Sequence, residues 1–109
     1  MNTTAINKLH IKATELSNTA TIYLSGHFSF DAHRDFKTAY IIQLGNPKID
    51  NIIVDLAEVK YLDSSALGML LVLREHVQAA NKSLTLSRPS SVTGRTFDIA
   101  SFHKMFTIN

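Results

Sequence analysis

Alternating apolar and polar residues at the start of the chain predict a β-hairpin. Residues 6–12 and 20–26 both alternate in this way, which is typical of strands with one buried face. The turn-forming residues 17–19 separate the two segments, and Gly26 marks the predicted end of the second strand. The chain therefore opens with two antiparallel strands, the first at an edge of a sheet.

Three later segments also predict strands. Residues 51–56 contain a β-branched, nearly continuous apolar stretch, as in a strand covered on both faces. Residues 83–87 form a short alternating strand, and residues 105–108 form a last short strand.

Between the strands, apolar residues at helical spacing predict three helices. The first covers residues 32–44, with Asp31 as its expected N-cap. The segment DSSALG opens a second helix that runs to about Ala80, and a third helix covers residues 90–99.

The order of these elements, β-β-α-β-α-β-α-β, predicts an α/β fold. Strands that alternate with helices pair in parallel, whereas the opening hairpin is antiparallel, so the sheet is mixed. A chain of 109 residues is long enough for one modest core. We therefore expect a single domain over residues 1–109, with a mixed sheet of four to five strands and helices packed against it.

The segment YLDSSALGML raises the question of why three polar residues precede a strongly apolar helix. One of Asp63, Ser64 and Ser65 is enough to cap the unpartnered N–H groups, a contribution of about 1 kcal/mol. A remaining serine hydroxyl would stand at the positive end of the helix dipole, where a phosphate is favoured. A phosphoserine there would add about −1.5 to −2 charges. The residues alone leave a cap and a modification site both open.

The helix that follows is apolar around most of its circumference. One stripe that can face the sheet consists of Ala66, Leu70, Leu73 and Val77. Other apolar residues lie around the rest of the helix: Leu67, Met69, Leu71 and Val72. Such a helix is either enclosed in the core or used as an interface. Composition favours the core slightly for the helix as a whole, but we expect Leu70 to behave as a core residue and Leu67 or Leu71 to behave as an interface residue.

Composition excludes several classes of protein. The eleven Lys and Arg residues include no adjacent pair and the net charge is only +2, which argues against nucleic-acid binding. Without cysteine, disulfides and thiolate sites are excluded. No signal pattern opens the chain, and the longest apolar run, residues 69–73, is too short to span a bilayer. We expect a cytoplasmic protein without a membrane partner.

Catalytic and metal-binding motifs are absent from the sequence. The serine step lacks the G-x-S-x-G pattern, and the five histidines stand in no known catalytic spacing. There is no H-E-x-x-H, G-x-G-x-x-G or Walker motif. We therefore expect a protein that is not an enzyme and holds no metal or cofactor, with a small hydrolase as the least favoured alternative.

Three segments resemble the STAS domain, the fold of the anti-sigma-factor antagonists. The first is the strand IIVDL followed by YLDSSALGMLLVLREH, in which DSSALG stands where the family has an Asp-Ser-Ser-Gly-Leu-Gly-like step. The others are YLSGHFSFDAH and SLTLSRPSSVTGRTFDIASFHKMFTI. Together they cover nearly the whole chain in order. The resemblance is greatest to the small stand-alone antagonists of gamma-proteobacterial partner switches.

The resemblance implies a phosphorylation switch at Ser64. In the family, a serine kinase that is often also the anti-sigma factor phosphorylates this serine, and a PP2C-type phosphatase reverses the reaction. The unphosphorylated antagonist binds the anti-sigma factor and frees the sigma factor. The implied partner-binding residues come from two segments: His27, Ser29, Asp31, Asp63, Ser64, Ser65, Leu67, Gly68 and Leu71.

The sequence departs from the family pattern in three places. Ala66 stands where many members have glycine, and Ser29 where many antagonists have an acidic residue. The chain ends at Asn109 without the C-terminal helix common in the family, which would leave part of the sheet free for a homodimer. Because STAS domains also serve in lipid-transport complexes, the alternative function is a non-phosphorylated subunit of a transport or other multiprotein complex.

Overall fold

Residues 8–109, which the computed structural model describes, form a mixed five-stranded sheet with helices packed against it. In chain order the elements are β1 (Leu9–Leu16), β2 (Thr19–Phe28), α1 (His33–Leu44), β3 (Asn51–Leu62), α2 (Ser64–Ala79), β4 (Ser83–Ser87), α3 (Ser91–Ile99) and β5 (Thr107–Ile108). The strand order is β1-β2-β3-β4-β5, antiparallel at β1–β2 and parallel elsewhere. The predicted element order and mixed sheet are confirmed. None of the helices in residues 8–109 is long and apolar enough to cross a membrane.

The core lies between one face of the sheet and the helices α1 and α2. Strand alternation brings the buried side chains to that face: Ala20, Ile22, Leu24, Ile52, Val54, Leu56 and Leu86. Phe36 of α1 and Leu70 and Leu73 of α2 are buried against them. Full burial of one such side chain contributes about 1.5–3 kcal/mol. On the opposite face Ile53 is half-buried and Asp55 is buried, so the predicted covering of β3 on both faces holds only in part.

The two central strands are longer than the sequence pattern predicts. β2 continues past Gly26 to Phe28, and β3 continues past Leu56 to Leu62. The register between β2 and β3 shifts after Gly26, and β2 does not end there. The φ of Gly26 is +96°, and a Cβ there would lie 2.4 Å from the Lys8 carbonyl oxygen, so only glycine fits. Because β3 reaches Leu62, no loop separates it from the start of α2.

The edges of the sheet also differ from the prediction. β1 runs to Leu16, four residues beyond the predicted end, and Ile6 and Asn7 lie outside the described residues. The predicted last strand over residues 105–108 is reduced to Thr107–Ile108. Residues 13–16 of β1 are exposed, where the alternation of apolar residues gives little signal, whereas Phe106 is buried but lies outside β5.

The prediction that Asp31 caps α1 is wrong. The chain first makes a 3-10 turn over Phe30–Ala32, and α1 begins at His33 without a side-chain cap hydrogen bond. The Ala32 N–H donates to the Ser29 carbonyl at 2.9 Å. Asp31 therefore lies within this turn and is exposed to solvent.

An ion pair fixes the connection that leads from β4 to α3. The Arg88 Nε donates to the buried Asp55 carboxylate at 2.8 Å, and the other carboxylate oxygen accepts from the Ala57 N–H at 3.1 Å. The hydrogen bond with Asp55, and then its charge, raise the pKa of Arg88. The next residues place Ser90 beside β3, where its N–H donates to the Leu56 carbonyl at 3.3 Å.

Candidate protein-interaction site

Asp63 is the residue that caps α2. Its Oδ1 accepts a hydrogen bond from the Ala66 N–H at 3.0 Å. Its Oδ2 accepts from the Phe30 N–H at 3.2 Å, and its own N–H donates to the Phe28 carbonyl at 3.3 Å. One carboxylate thus closes the helix and ties the β2–α1 connection to its first turn.

Neither serine of the step is needed for that cap. Ser64 is the first residue of α2 and is exposed, and Ser65 is half-buried. Within residues 8–109 neither hydroxyl has a hydrogen-bond partner. The Ser64 hydroxyl therefore stands at a helix N-terminus, accessible and uncommitted.

The residues expected to bind a partner before α1 have unequal surroundings. His27 is half-buried and its ring stacks on Tyr61, with 5.2 Å between ring centroids. Ser29 is half-buried at the start of the 3-10 turn, and Asp31 is exposed. Between them Phe30 is 71% exposed, and its N–H is the group that Asp63 holds. The two predicted segments therefore meet at Phe30 and Asp63.

The buried stripe of α2 is the one that the spacing predicts: Ala66, Leu70, Leu73 and Val77. Met69 is also buried. Leu67 and Leu71 are half-buried against the core, on the side of α2 where the Arg74 Nε donates to the Met105 carbonyl at 2.6 Å. These two leucines are therefore less available than expected. The exposed large apolar residue of α2 is Val72, at 46% exposure.

A groove of about 310 Å³ runs between α1 and α2. Its lining residues are Phe30, His33, Phe36, Lys37, Tyr40, Ser65, Gly68, Met69 and Val72. Burial raises the pKa of the Tyr40 phenol above its ordinary value. A Cβ on Gly68 would meet no atom within 4 Å, so no neighbouring strand explains this glycine.

Sequence reasoning missed Phe30, His33 and Lys37 in this groove, and it named Val72 only as one of several apolar residues of α2 that an interface could use. Phe30 could have been identified from the sequence, because a large apolar residue between Ser29 and Asp31 is unusual in a polar segment. Lys37 and His33 gave no signal, because a cation on the polar side of a helix is ordinary. Among the described residues, no group of three or more His, Asp and Glu side chains is placed to hold a metal ion.

Comparison of the sequence with known proteins gives two matches. A family model described as "Mlab, STAS domain" matches residues 11–107. A STAS-domain containing protein of Pseudomonas aeruginosa (strain UCBPP-PA14) is 40% identical over 89 residues, which are 82% of this chain and 86% of that protein.

Solved structures show the same fold at low sequence identity. An anti-sigma factor antagonist from Mycobacterium paratuberculosis has a TM-score of 0.82 at 15% identity, covering 94% of this chain and 86% of that one. The anti-sigma factor antagonist SpoIIAA in its unphosphorylated form has a TM-score of 0.77 at 17% identity, covering 92% and 88%. SpoIIAA of Bacillus in the phosphorylated form has a TM-score of 0.69 at 17% identity, covering 94% and 91%. The fold implied by the sequence resemblance is confirmed.

Proposed function

Since the chain belongs to the STAS domain family, we propose that it is an anti-sigma-factor antagonist of a partner-switching pathway, with Ser64 as the regulated hydroxyl. The unphosphorylated protein binds an anti-sigma factor in the cytoplasm, and phosphorylation releases it. The proposal rests on the different roles of two neighbouring residues at the start of α2. Asp63 caps the helix, and Ser64 stays exposed beside it.

Electrostatics explain how a phosphate on Ser64 would act on a partner and spare the fold. The dianion would lie at the positive end of α2, which stabilises it. The neighbouring Asp63 carboxylate would oppose it, so the two effects partly cancel within the domain. A partner packed on this surface would have to desolvate the dianion next to the apolar Phe30, at a high cost in binding free energy.

The chain itself is the substrate in this scheme and not the enzyme. A serine kinase, which in the family is often the anti-sigma factor, transfers the phosphate, and a PP2C-type phosphatase removes it. SpoIIAA has been solved in both unphosphorylated and phosphorylated forms, so a protein of this fold carries such a modification. This supports the proposal by analogy of fold.

The test compares two helix N-termini of the same chain. Ser64 and Ser91 are each the first residue of a helix, and each is exposed. Affinity-tagged Ser64→Ala, Ser64→Asp and Ser91→Asp proteins are used to isolate partners from the cells that naturally make the protein. Ser64→Asp is expected to lose the partner by about tenfold or more, whereas Ser64→Ala and Ser91→Asp retain it. Equal retention by Ser64→Asp would contradict the proposal.

A subunit of a transport or other multiprotein complex is the second candidate. It is favoured by the description of the matching family model, which names Mlab and not an antagonist. Such a subunit would use the same surface without phosphorylation. In that case Ser64→Asp would lower the affinity for the natural partner no more than an acidic substitution at another exposed position does. The protein isolated from its own cells would carry no phosphate.

A further inference from the structure

The groove between α1 and α2 has the features of a binding surface for a helix. Its floor is formed by side chains that are buried: Phe36, Tyr40 and Met69. Two large apolar side chains on its rim, Phe30 and Val72, remain 71% and 46% exposed. Apolar area of this kind on both rims of one groove is typical of a site that a partner covers.

Two of the α2 residues that line the groove, Ser65 and Gly68, have small side chains. Ser65, Gly68 and Val72 follow the spacing i, i+3, i+7 and so lie on one side of the helix. Gly68 weakens the helix relative to alanine, and the surrounding chain gives no reason for it, since a Cβ would meet nothing within 4 Å. Small residues let a second helix approach closely, because the distance between packed helices depends on the side chains at the contact.

Charge identifies the kind of helix that fits. His33 and Lys37 line the groove, and its lining includes no carboxylate within the described part of the chain. Both residues also border the outer side of α1 together with Arg34, beside the exposed Ile42. Two carboxylates, Asp31 and Asp35, border a separate depression next to Phe30 and do not line the groove. A partner surface that complements this one is apolar at its centre and acidic at its edge.

We propose that the α1–α2 groove binds an amphipathic helix of the partner, with its apolar side against Phe30 and Val72 and its acidic residues facing Lys37 and His33. This rests on the proposed function, because it describes the partner of the same switch. Phe30 lies at the groove's end next to Asp63, whose carboxylate holds its N–H at 3.2 Å. A phosphate on Ser64 would therefore lie near the acidic edge of the bound helix and repel it.

The probe is a pair of synthetic amphipathic peptides of about 18 residues, or five helical turns. They share one leucine and alanine face and carry either Glu or Lys along its edges. Each is titrated into isotope-labelled, unphosphorylated protein while backbone amide shifts are followed. The Glu peptide is expected to shift the amides of Phe30, Gly68 and Val72 and to bind about fivefold more tightly than the Lys peptide.

Two variants and one control make the result specific. Lys37→Glu is expected to reverse the preference between the peptides, whereas Lys48→Glu, the same change at an exposed site outside the groove, leaves it unaltered. Gly68→Leu is expected to weaken the Glu peptide by about tenfold while the protein stays folded, because the space above Gly68 is open.

Three results would overturn the inference. The first is that neither peptide shifts the groove amides, and the second is that both peptides bind equally. The third is that dodecanoate, an alkyl carboxylate, saturates the groove at a lower concentration than the Glu peptide, which would make it a fatty-acid site. Because the protein is unphosphorylated, these results are independent of Ser64. If the groove inference fails in this titration but Ser64→Asp still loses the natural partner, the proposed phosphorylation switch is retained and only the groove inference is wrong.

Discussion

The N-termini of α2 and α3 solve the same structural problem with different residues. At α3 the cap is Ser90, whose Oγ accepts from the Thr93 N–H at 3.2 Å and lies 2.8 Å from the Thr93 hydroxyl. At α2 the cap is Asp63, and the serine that follows it has no structural task. A hydroxyl used as a cap is not available for chemistry. Placing an aspartate before Ser64 keeps that hydroxyl accessible.

The two caps also differ in how far they reach. The Ser90 side chain bonds only within the first turn of its own helix. The Asp63 carboxylate accepts a hydrogen bond from the N–H of Phe30, thirty-three residues away in sequence, and so joins the β2–α1 connection to the start of α2. The side-chain cap of α3 is therefore local to its own helix, and only the Ser90 backbone N–H bonds to β3, whereas the Asp63 side chain at the start of α2 organises an exposed surface around Ser64.

Asp63→Ala is expected to have the largest effect on stability. It removes the cap of α2 and the bond to Phe30, which together contribute about 2 kcal/mol. Urea denaturation measures the change in the free energy of unfolding. The matched variant Asp63→Asn keeps an oxygen for the cap and should lose less. A loss near zero for Asp63→Ala would show that a serine takes over the cap, which would remove the distinction between the two helix ends.

Ser90→Ala is expected to cost about 1 kcal/mol. The substitution removes the Ser90 hydroxyl, which caps α3 and is a hydrogen-bond partner of the buried Thr93 hydroxyl. Because the Ser90 side chain bonds only within its own helix, the amide shifts of Phe30 and Ser64 should not change. Altered shifts around α2 would mean that the two helix ends are coupled.

The smallest effect is expected for an acid at the first helical position. Ser91→Asp should stabilise the protein by about 0.3–1 kcal/mol, since the charge meets the helix dipole and lies four residues before Arg95. At Ser64→Asp the same gain is partly offset by Asp63, so the unfolding free energy should change by less than about 0.5 kcal/mol. A loss of several kcal/mol at Ser64 would identify it as structural.

The features that the sequence predicts well are those set by short-range spacing. The buried stripe of α2 follows from helical periodicity alone, and the start of the helix follows from the Asp-Ser-Ser step. The sequence alone leaves three residues as candidates for the cap: Asp63, Ser64 and Ser65. Geometry favours Asp63, because it is the last extended residue before the helix.

The features that escaped prediction depend on contacts distant in sequence. β3 continues to Leu62 because the far end of β2 pairs with it, with Phe28 opposite Leu62. The Phe30 N–H bonds to Asp63, and the chain turns there before α1 begins, which is why Asp31 is not a cap. Likewise, Leu67 and Leu71 are half-buried because they pack against the core, on the side of α2 that Arg74 joins to Met105. A single sequence gives no sign of such pairings.

The most direct test of the central claim is the position of phosphate on the protein isolated from its own cells. Trypsin cuts after Lys60 and Arg74, so one peptide, residues 61–74, carries Ser64, and fragmentation separates it from Ser65. Ser91 falls in another peptide, residues 83–95, because Pro89 blocks the cut after Arg88. We predict phosphate on Ser64, none on Ser91 and none on Ser64→Ala protein. Phosphate on Ser91, or normal phosphate content in Ser64→Ala, would contradict the account.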